Sequence, residues 1–267
     1  MNLPLLRHVW RANGIRLLIV AVALLLWGSI LPIVYDAFGE QFKEIVESGA
    51  IPQQFLNVGG GDIFTLTGSV ALGFIHPIAV GLNLVFAVGF AATAVAGERQ
   101  RGTLEVLLSR PLSRRTVYLT LAAAAAAFAA ITVAALTLGS VLGAALTGRV
   151  PELGLGNLPI LWLNGFLLYA AFAAISLAAS VSFDRVAPAA GVSLAVVLVS
   201  YFLDILGQLW PDAAGLQPYS LFHYLDARNA LAGLPDPTDF LVLAAVTAVA
   251  VCYALVRFPR RDLAAPT

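Results

Sequence analysis

Few residues in this chain could do chemistry, and they are scattered. Asp36 follows Tyr35, and Asp62 follows the run Gly59–Gly61. Two carboxylates that share a proton can activate water, but only if both face each other inside adjacent helices. Asp36 ends an apolar stretch, and Asp62 sits in a glycine-rich loop where a turn explains the glycines without catalysis. His76 is the one histidine inside an apolar stretch, and Asp204 lies near the end of another. An ionisable group in such a segment is a candidate for proton relay. A neutral histidine can equally hydrogen-bond across helices beside a kink at Pro77. Asn83 and Asn164 have the same two readings, glue between helices or contact with a transported substrate. A phosphate-binding P-loop needs Gly-Lys followed by Ser or Thr. The only lysine, Lys43, lies in "FKE", so the chain has no such loop. One methionine, one cysteine and three histidines argue against a soft-metal path.

The elements that must position these residues are apolar. The chain has 267 residues, of which 60% are hydrophobic and 11% charged, and its mean hydropathy is +0.90. Too little polar surface remains to coat a water-facing globule, so an all-α integral membrane protein is expected. Six stretches reach the roughly 20 apolar residues of a spanning helix: Leu17–Tyr35, Ser69–Gly97, Val117–Thr147, Pro159–Phe183, Ala187–Leu206 and Phe240–Phe258. They are expected to form a single transmembrane domain over residues 1–267. No small-x-small cleavage site follows the first stretch, so it reads as a retained span.

Three further pieces are expected. Leu6, Val9, Trp10 and Leu17 form a helical stripe with Arg7 and Arg11 off it, which predicts an amphipathic helix in the inner interface before the first span. Phe38, Phe42, Ile45 and Val46 form a stripe that extends the first helix outward. Trp210, Tyr219, Phe222 and Tyr224 predict an outer segment before span six that dips back toward the bilayer in a re-entrant manner. The small residues Ala122–Ala127, Gly139 and Gly143 suit close packing of span three, within the subunit or against a second one.

Charge sets the orientation. With both termini inside, the inner segments carry Arg7, Arg11, Arg16, Arg99, Arg101, Arg110, Arg114, Arg115, Arg185, Arg257, Arg260 and Arg261. The outer segments carry only Lys43, Arg149 and Arg228. That bias places both termini in the cytoplasm. The arginines sit at membrane edges without an aromatic-lined groove, so no nucleic-acid partner is expected. Asp184–Arg185 reads as a local ion pair in a tight inner turn.

The connector between spans two and three, "GERQRGTLEVLLSRPLSRR", concentrates five of the basic residues: Arg99, Arg101, Arg110, Arg114 and Arg115. Gly102 loosens the chain, and Thr103 can cap a short helix with Leu104, Leu107 and Leu108 on one face. Pro111 stops it, and Ser113 can cap the next. Such a helix can rest on anionic headgroups, or fill a groove in a cytoplasmic partner with an apolar core and an arginine rim.

The pattern E-x-x-x-G-T-L-E-x-L-L-x-x-P-x-S-R, from Glu98 to Arg114, resembles the cytoplasmic loop of the type-2 ATP-binding-cassette permeases, the membrane subunits of many prokaryotic exporters. His76–Gly97 is similar to their second span, and Tyr219–Gly233 to their segment before the last span. The resemblance covers essentially the whole chain. It implies that the loop is a coupling helix docking on an ATPase, a role carried to Glu98, Gly102, Thr103, Leu104, Glu105, Leu107, Leu108, Pro111 and Arg114. It implies a separate cytoplasmic ATPase that holds ATP and Mg, with no cofactor on this chain itself. A second permease subunit, surrounding lipid and a prokaryotic inner membrane complete the picture. Against it stand a proton-coupled carrier using His76 and Asp204, and a membrane protease using Asp36 and Asp62.

The arginine distribution makes the orientation testable. In a variant lacking Cys252, a cysteine replacing Glu47 should react with an impermeant thiol reagent on intact cells, and one replacing Arg101 should not. The reverse pattern would refute the orientation.

Overall fold

The computed structural model describes residues 1–48, 65–103 and 112–261. Its first helix, α1, runs from Leu3 to Glu47 without interruption. At about 1.5 Å per residue, 45 residues reach about 68 Å, over twice a hydrocarbon core of about 30 Å. The expected interface helix is therefore not a separate element. Val9 and Leu17 of its apolar stripe are buried, continuous with Val20 and Leu24. Trp10 and Phe128 stack at 5.3 Å, Phe86 and Phe90 join Phe128 at 4.8 and 5.1 Å, and the Asn2 amide donates to Thr120 Oγ1 at 2.9 Å. Val9 and Leu17 of the stripe pack on protein, and Trp10 remains exposed. The expected extension of the first helix continues through Glu47.

Helix α6 (Arg114–Leu146) lies along α1. Lipid tails are as apolar as leucine, so helices associate in a membrane by close packing rather than by expulsion of water. Here the approach is made at glycines. A methyl group built on Gly139 would fall 2.9 Å from the Leu25 carbonyl carbon, and one on Gly143 2.9 Å from the Ser29 Cα. Gly28 meets α6 in return, its missing methyl 3.1 Å from the Ser140 amide. Gly139 and Gly143 thus pack within the subunit.

The second span is broken. Helix α2 (Leu66–Ile75) ends at His76, and α3 (Pro77–Leu84) begins at Pro77, at a bend of 44°. A π turn over Val85–Phe90 follows, then α4 (Ala91–Thr93) and α5 (Ala96–Gln100). The expected kink is a break with its own cap, because His76 Nδ1 accepts the Ile78 amide at 3.3 Å. Pro77 has no N–H to give Gly73. Trp27 Nε1 donates to that carbonyl at 3.1 Å, and Tyr201 Oη donates to Ile75 O at 3.2 Å. At the π turn, a second irregularity, Arg16 donates to Val85 O at 3.0 Å with its guanidinium over the Phe86 ring.

The remaining helices are α7 (Leu158–Ser182), α8 (Val186–Leu209), the short α9 (Ala227–Ala232) and α10 (Pro237–Arg260). Among the described residues, five helices are long and apolar enough to span a membrane, and the bent pair α2–α3, counted as one span, makes six. The segment before α10 folds back along α8. Ser220 Oγ donates to Ser200 O at 2.7 Å and the Leu221 amide to Ser200 Oγ, two to three turns inside α8. Phe222 is buried, and Trp210 and Tyr219 are exposed.

Gly139→Val should force α1 and α6 apart and cost on the order of 1–3 kcal/mol or more, as overpacking does. Thermal unfolding of the detergent-solubilised protein reads this. Gly14→Ala, where nothing lies within 4 Å, is the matched control. Equal midpoints for the two variants would refute the glycine contact.

Candidate functional site at the connector

The connector leaves the bundle through a turn built by Glu98. Its carboxylate pairs with Arg101 and accepts from Thr103 Oγ1 at 2.6 Å, while its carbonyl accepts the Thr103 amide at 2.9 Å. Gly102 supplies the left-handed step, φ +70°, that closes this turn. The Thr103 hydroxyl therefore points back to Glu98. Leu104, Glu105, Leu107, Leu108 and Pro111, with the helix that Thr103 was expected to cap, lie outside the described residues. On the return side, Ser113 caps α6 as expected, accepting the Thr116 amide at 3.1 Å. Arg114 NH1 donates to the carbonyls of Phe258, Pro259 and Arg261, at 3.3, 3.3 and 2.6 Å. Those carbonyls end α10 and have no helical partner of their own.

The leading flank is bound more tightly. Between α4 and α5 the amides of Val95 and Ala96 leave helical pairing, and Ser180 Oγ accepts both, at 3.0 and 2.9 Å. Gln100 Oε1 accepts the Val186 amide, capping α8 at 2.9 Å. Ala92, Ala96, Ala179 and Ala189 pack beneath these bonds with Phe183. Asp184 is expected to pair with Arg185, but it does not. One of its oxygens takes Arg99 Nε at 2.8 Å and also Arg261. Arg185 follows as the unbonded cap residue of α8. The reason is geometric: consecutive residues at an extended turn point apart, whereas Arg99 and Arg261 arrive from two other elements. Both arginine side chains are largely buried, 12% and 14% exposed. Burial draws the Arg261 guanidinium below its ordinary value, Arg99 adds to that, and Asp184 opposes it.

The other sequence candidates are dispersed. His76 caps α3 and stacks on Trp27 at 4.5 Å. Asn83 donates to Ala79 O within its own helix at 2.9 Å, and Asn164 donates to Tyr224 O at 2.8 Å, tying α7 to the segment before α10. No hydrogen bond joins any two of these three. Asp204 accepts Gln208 Nε2 at 2.7 Å and lines a cavity of about 290 Å³ with Gln217, His223 and Asp226; His76 is absent from that lining. Asp36 is paired with Arg149 at 2.6 Å, and Asp62 lies outside the described residues. Neither a proton path from His76 to Asp204 nor a carboxylate dyad is assembled among the described residues.

Sequence reasoning missed Trp27 and Tyr201 as caps of the break and Ser180 as the acceptor for span two. Pro77 announces that the Gly73 carbonyl needs a donor, but nothing local names it.

No curated protein matches the chain. The family model for the ABC-2 family transporter protein matches residues 13–263, through every spanning helix and both flanks of the connector. The chain belongs to the ABC-2 family of transporter proteins.

Proposed function

We propose that this chain is the permease subunit of an ATP-driven exporter, with the connector as its docking site for a separate cytoplasmic ATPase. The observation that carries the reading is the connector itself. A charged, leucine-bearing segment sits between two flanks that are both hydrogen-bonded to other spans, the leading one to α7 and α8 and the return one to the end of α10. The chain has no Gly-Lys-Ser/Thr sequence, so the phosphate site belongs to a partner. ATP and Mg bind there. Two permease subunits and two ATPases make the working unit, embedded in a prokaryotic plasma membrane with both permease termini inside.

The mechanism follows from differential affinity. ATP shifts the permease only if it binds one conformation of the assembly better than the other. Closing of the ATPase pair moves the docked segment, and the segment moves the spans to which its flanks are bound. Leu104, Leu107 and Leu108 form the apolar knob. Glu98, Gly102 and Thr103 set the angle at which the chain enters it. Pro111 ends it, and Arg114 anchors the return to α10. Glu105 lies on the rim.

Leu107→Asp should place a charge in a desolvated contact and cost several kcal/mol of docking. Glu105→Ala should be milder, since rim charges contribute little. Co-purification of the ATPase and ATP hydrolysis in proteoliposomes read both. A Leu107→Asp variant that keeps its ATPase and transports normally would mean that the helix rests on lipid.

His76 separates the exporter from a proton-driven carrier. Asparagine is a strong helix cap, so His76→Asn should keep the fold and transport with the pH profile unchanged, while His76→Leu loses about 1 kcal/mol of stability. Transport lost in the asparagine variant and indifferent to ATP depletion would favour the carrier.

A further inference from the structure

Three separate elements meet at one carboxylate oxygen. Arg99 belongs to the leading flank of the connector, Arg261 follows the last residue of α10, and Asp184 stands in the turn between α7 and α8. Neighbouring bonds repeat the same links. Arg261 NH1 donates to Val181 O at 2.8 Å, Ser180 Oγ holds the Val95 and Ala96 amides, and Gln100 caps α8. Arg114, on the return side, donates to the carbonyl of Arg261 itself. Both flanks of the 104–111 segment are therefore tied, directly or through Arg261, to the ends of α7, α8 and α10.

We propose that Asp184 is a positioning residue that locks the connector's leading flank, the α7–α8 turn and the end of α10 into one rigid body, so that motion of the connector reaches spans four, five and six as well as spans two and three. The inference deepens the exporter reading and rests on it for its functional consequence. Two largely buried guanidiniums repel unless a counter-charge lies between them, and Asp184 supplies it. The backbone bonds through Ser180 and Gln100 hold the same elements together, and the alanines packed there with Phe183 have no side-chain rotamers of their own. A joint of this kind transmits displacement instead of absorbing it. Without Asp184, the link that Arg99 and Arg261 share is lost, the joint loosens, and less of the connector's motion reaches the last three spans.

Three arms test this in the complete permease–ATPase complex and its permease. In Asp184→Asn, ATPase co-purification and ATP hydrolysis should persist, while transport per ATP hydrolysed falls by at least roughly fivefold, the low end of ordinary coupling strengths. Asp184→Glu should restore most of it. Hydrogen exchange of the isolated permease in detergent should show amides 95–101 and those of Phe258, Arg260 and Arg261 loosening together in Asp184→Asn, and this readout does not depend on an ATPase. Finally, in a variant lacking Cys252, a short thiol-reactive bridge between cysteines at Gln100 and Val186 should leave transport at the level of the unbridged pair. Normal coupling in Asp184→Asn, unchanged exchange at either segment, or a bridge that stops transport until it is reduced would each overturn the rigid joint. Absence of ATP-driven transport by the unmodified complex would instead overturn the exporter reading and leave the exchange arm to decide the joint.

Discussion

Inside an apolar bundle a backbone amide or carbonyl that leaves its helix has no water to replace the lost partner. That constraint organises the polar residues of this protein. Trp27 and Tyr201 serve the carbonyls freed at the His76–Pro77 break, and Arg16 serves the π turn. Ser180 takes the two amides freed before α5, Gln100 takes one at the start of α8, and Arg114 takes the carbonyls at the end of α10. Many polar side chains bond to the carbonyl one turn back in their own helix, as Thr137 and Ser176 do, but those that reach across the bundle bond mainly where regular helix stops.

Span two concentrates these interruptions. Built from four short helices and a π turn, it holds its shape only because neighbours on α1, α7 and α8 complete its hydrogen bonds. A continuous helix such as α6 needs no such help, and it approaches α1 through bare glycine surfaces. The two modes divide the labour. Close packing of α1 and α6 gives a firm pair of long helices, and directional bonds fix an irregular span against that pair and against α7 and α8. Directional bonds break and re-form at defined geometries, so the irregular span is the element best suited to hold two arrangements.

Much of this was legible in the sequence, for physical reasons that also mark where it stopped. Length and apolarity decide a span, so Pro159–Phe183 was read within one residue at each end of Leu158–Ser182. Ser113 was readable as a cap because capping is local. The amphipathic N-terminus is continuous with the first span, which the stripe could not reveal, because a stripe shows which face is covered, not where a helix ends. Asp184 was assigned to Arg185 because adjacency in sequence is visible and the convergence of residues 99, 184 and 261 is not. Of the connector residues, Glu98, Gly102 and Thr103 build a local turn, whereas Arg114 reaches the end of α10, a contact that spacing does not reveal. The leucine face between them is a matter of what it docks against.

The distribution of arginine gains a second meaning from these contacts. A basic edge orients a membrane protein whatever its side chains touch, and surface arginines at the headgroups would suffice for that. Yet Arg99, Arg114 and Arg261 are turned inward, onto Asp184 and onto the carbonyls that close α7 and α10. Guanidinium suits this position because its planar fork can hold several acceptors at once while remaining charged. Lysine, a point charge on a flexible stem, could orient the chain equally well but could not bridge Asp184 and Val181 from one position, as Arg261 does. Arginines of the basic edge therefore also join its spans at the end where the connector emerges.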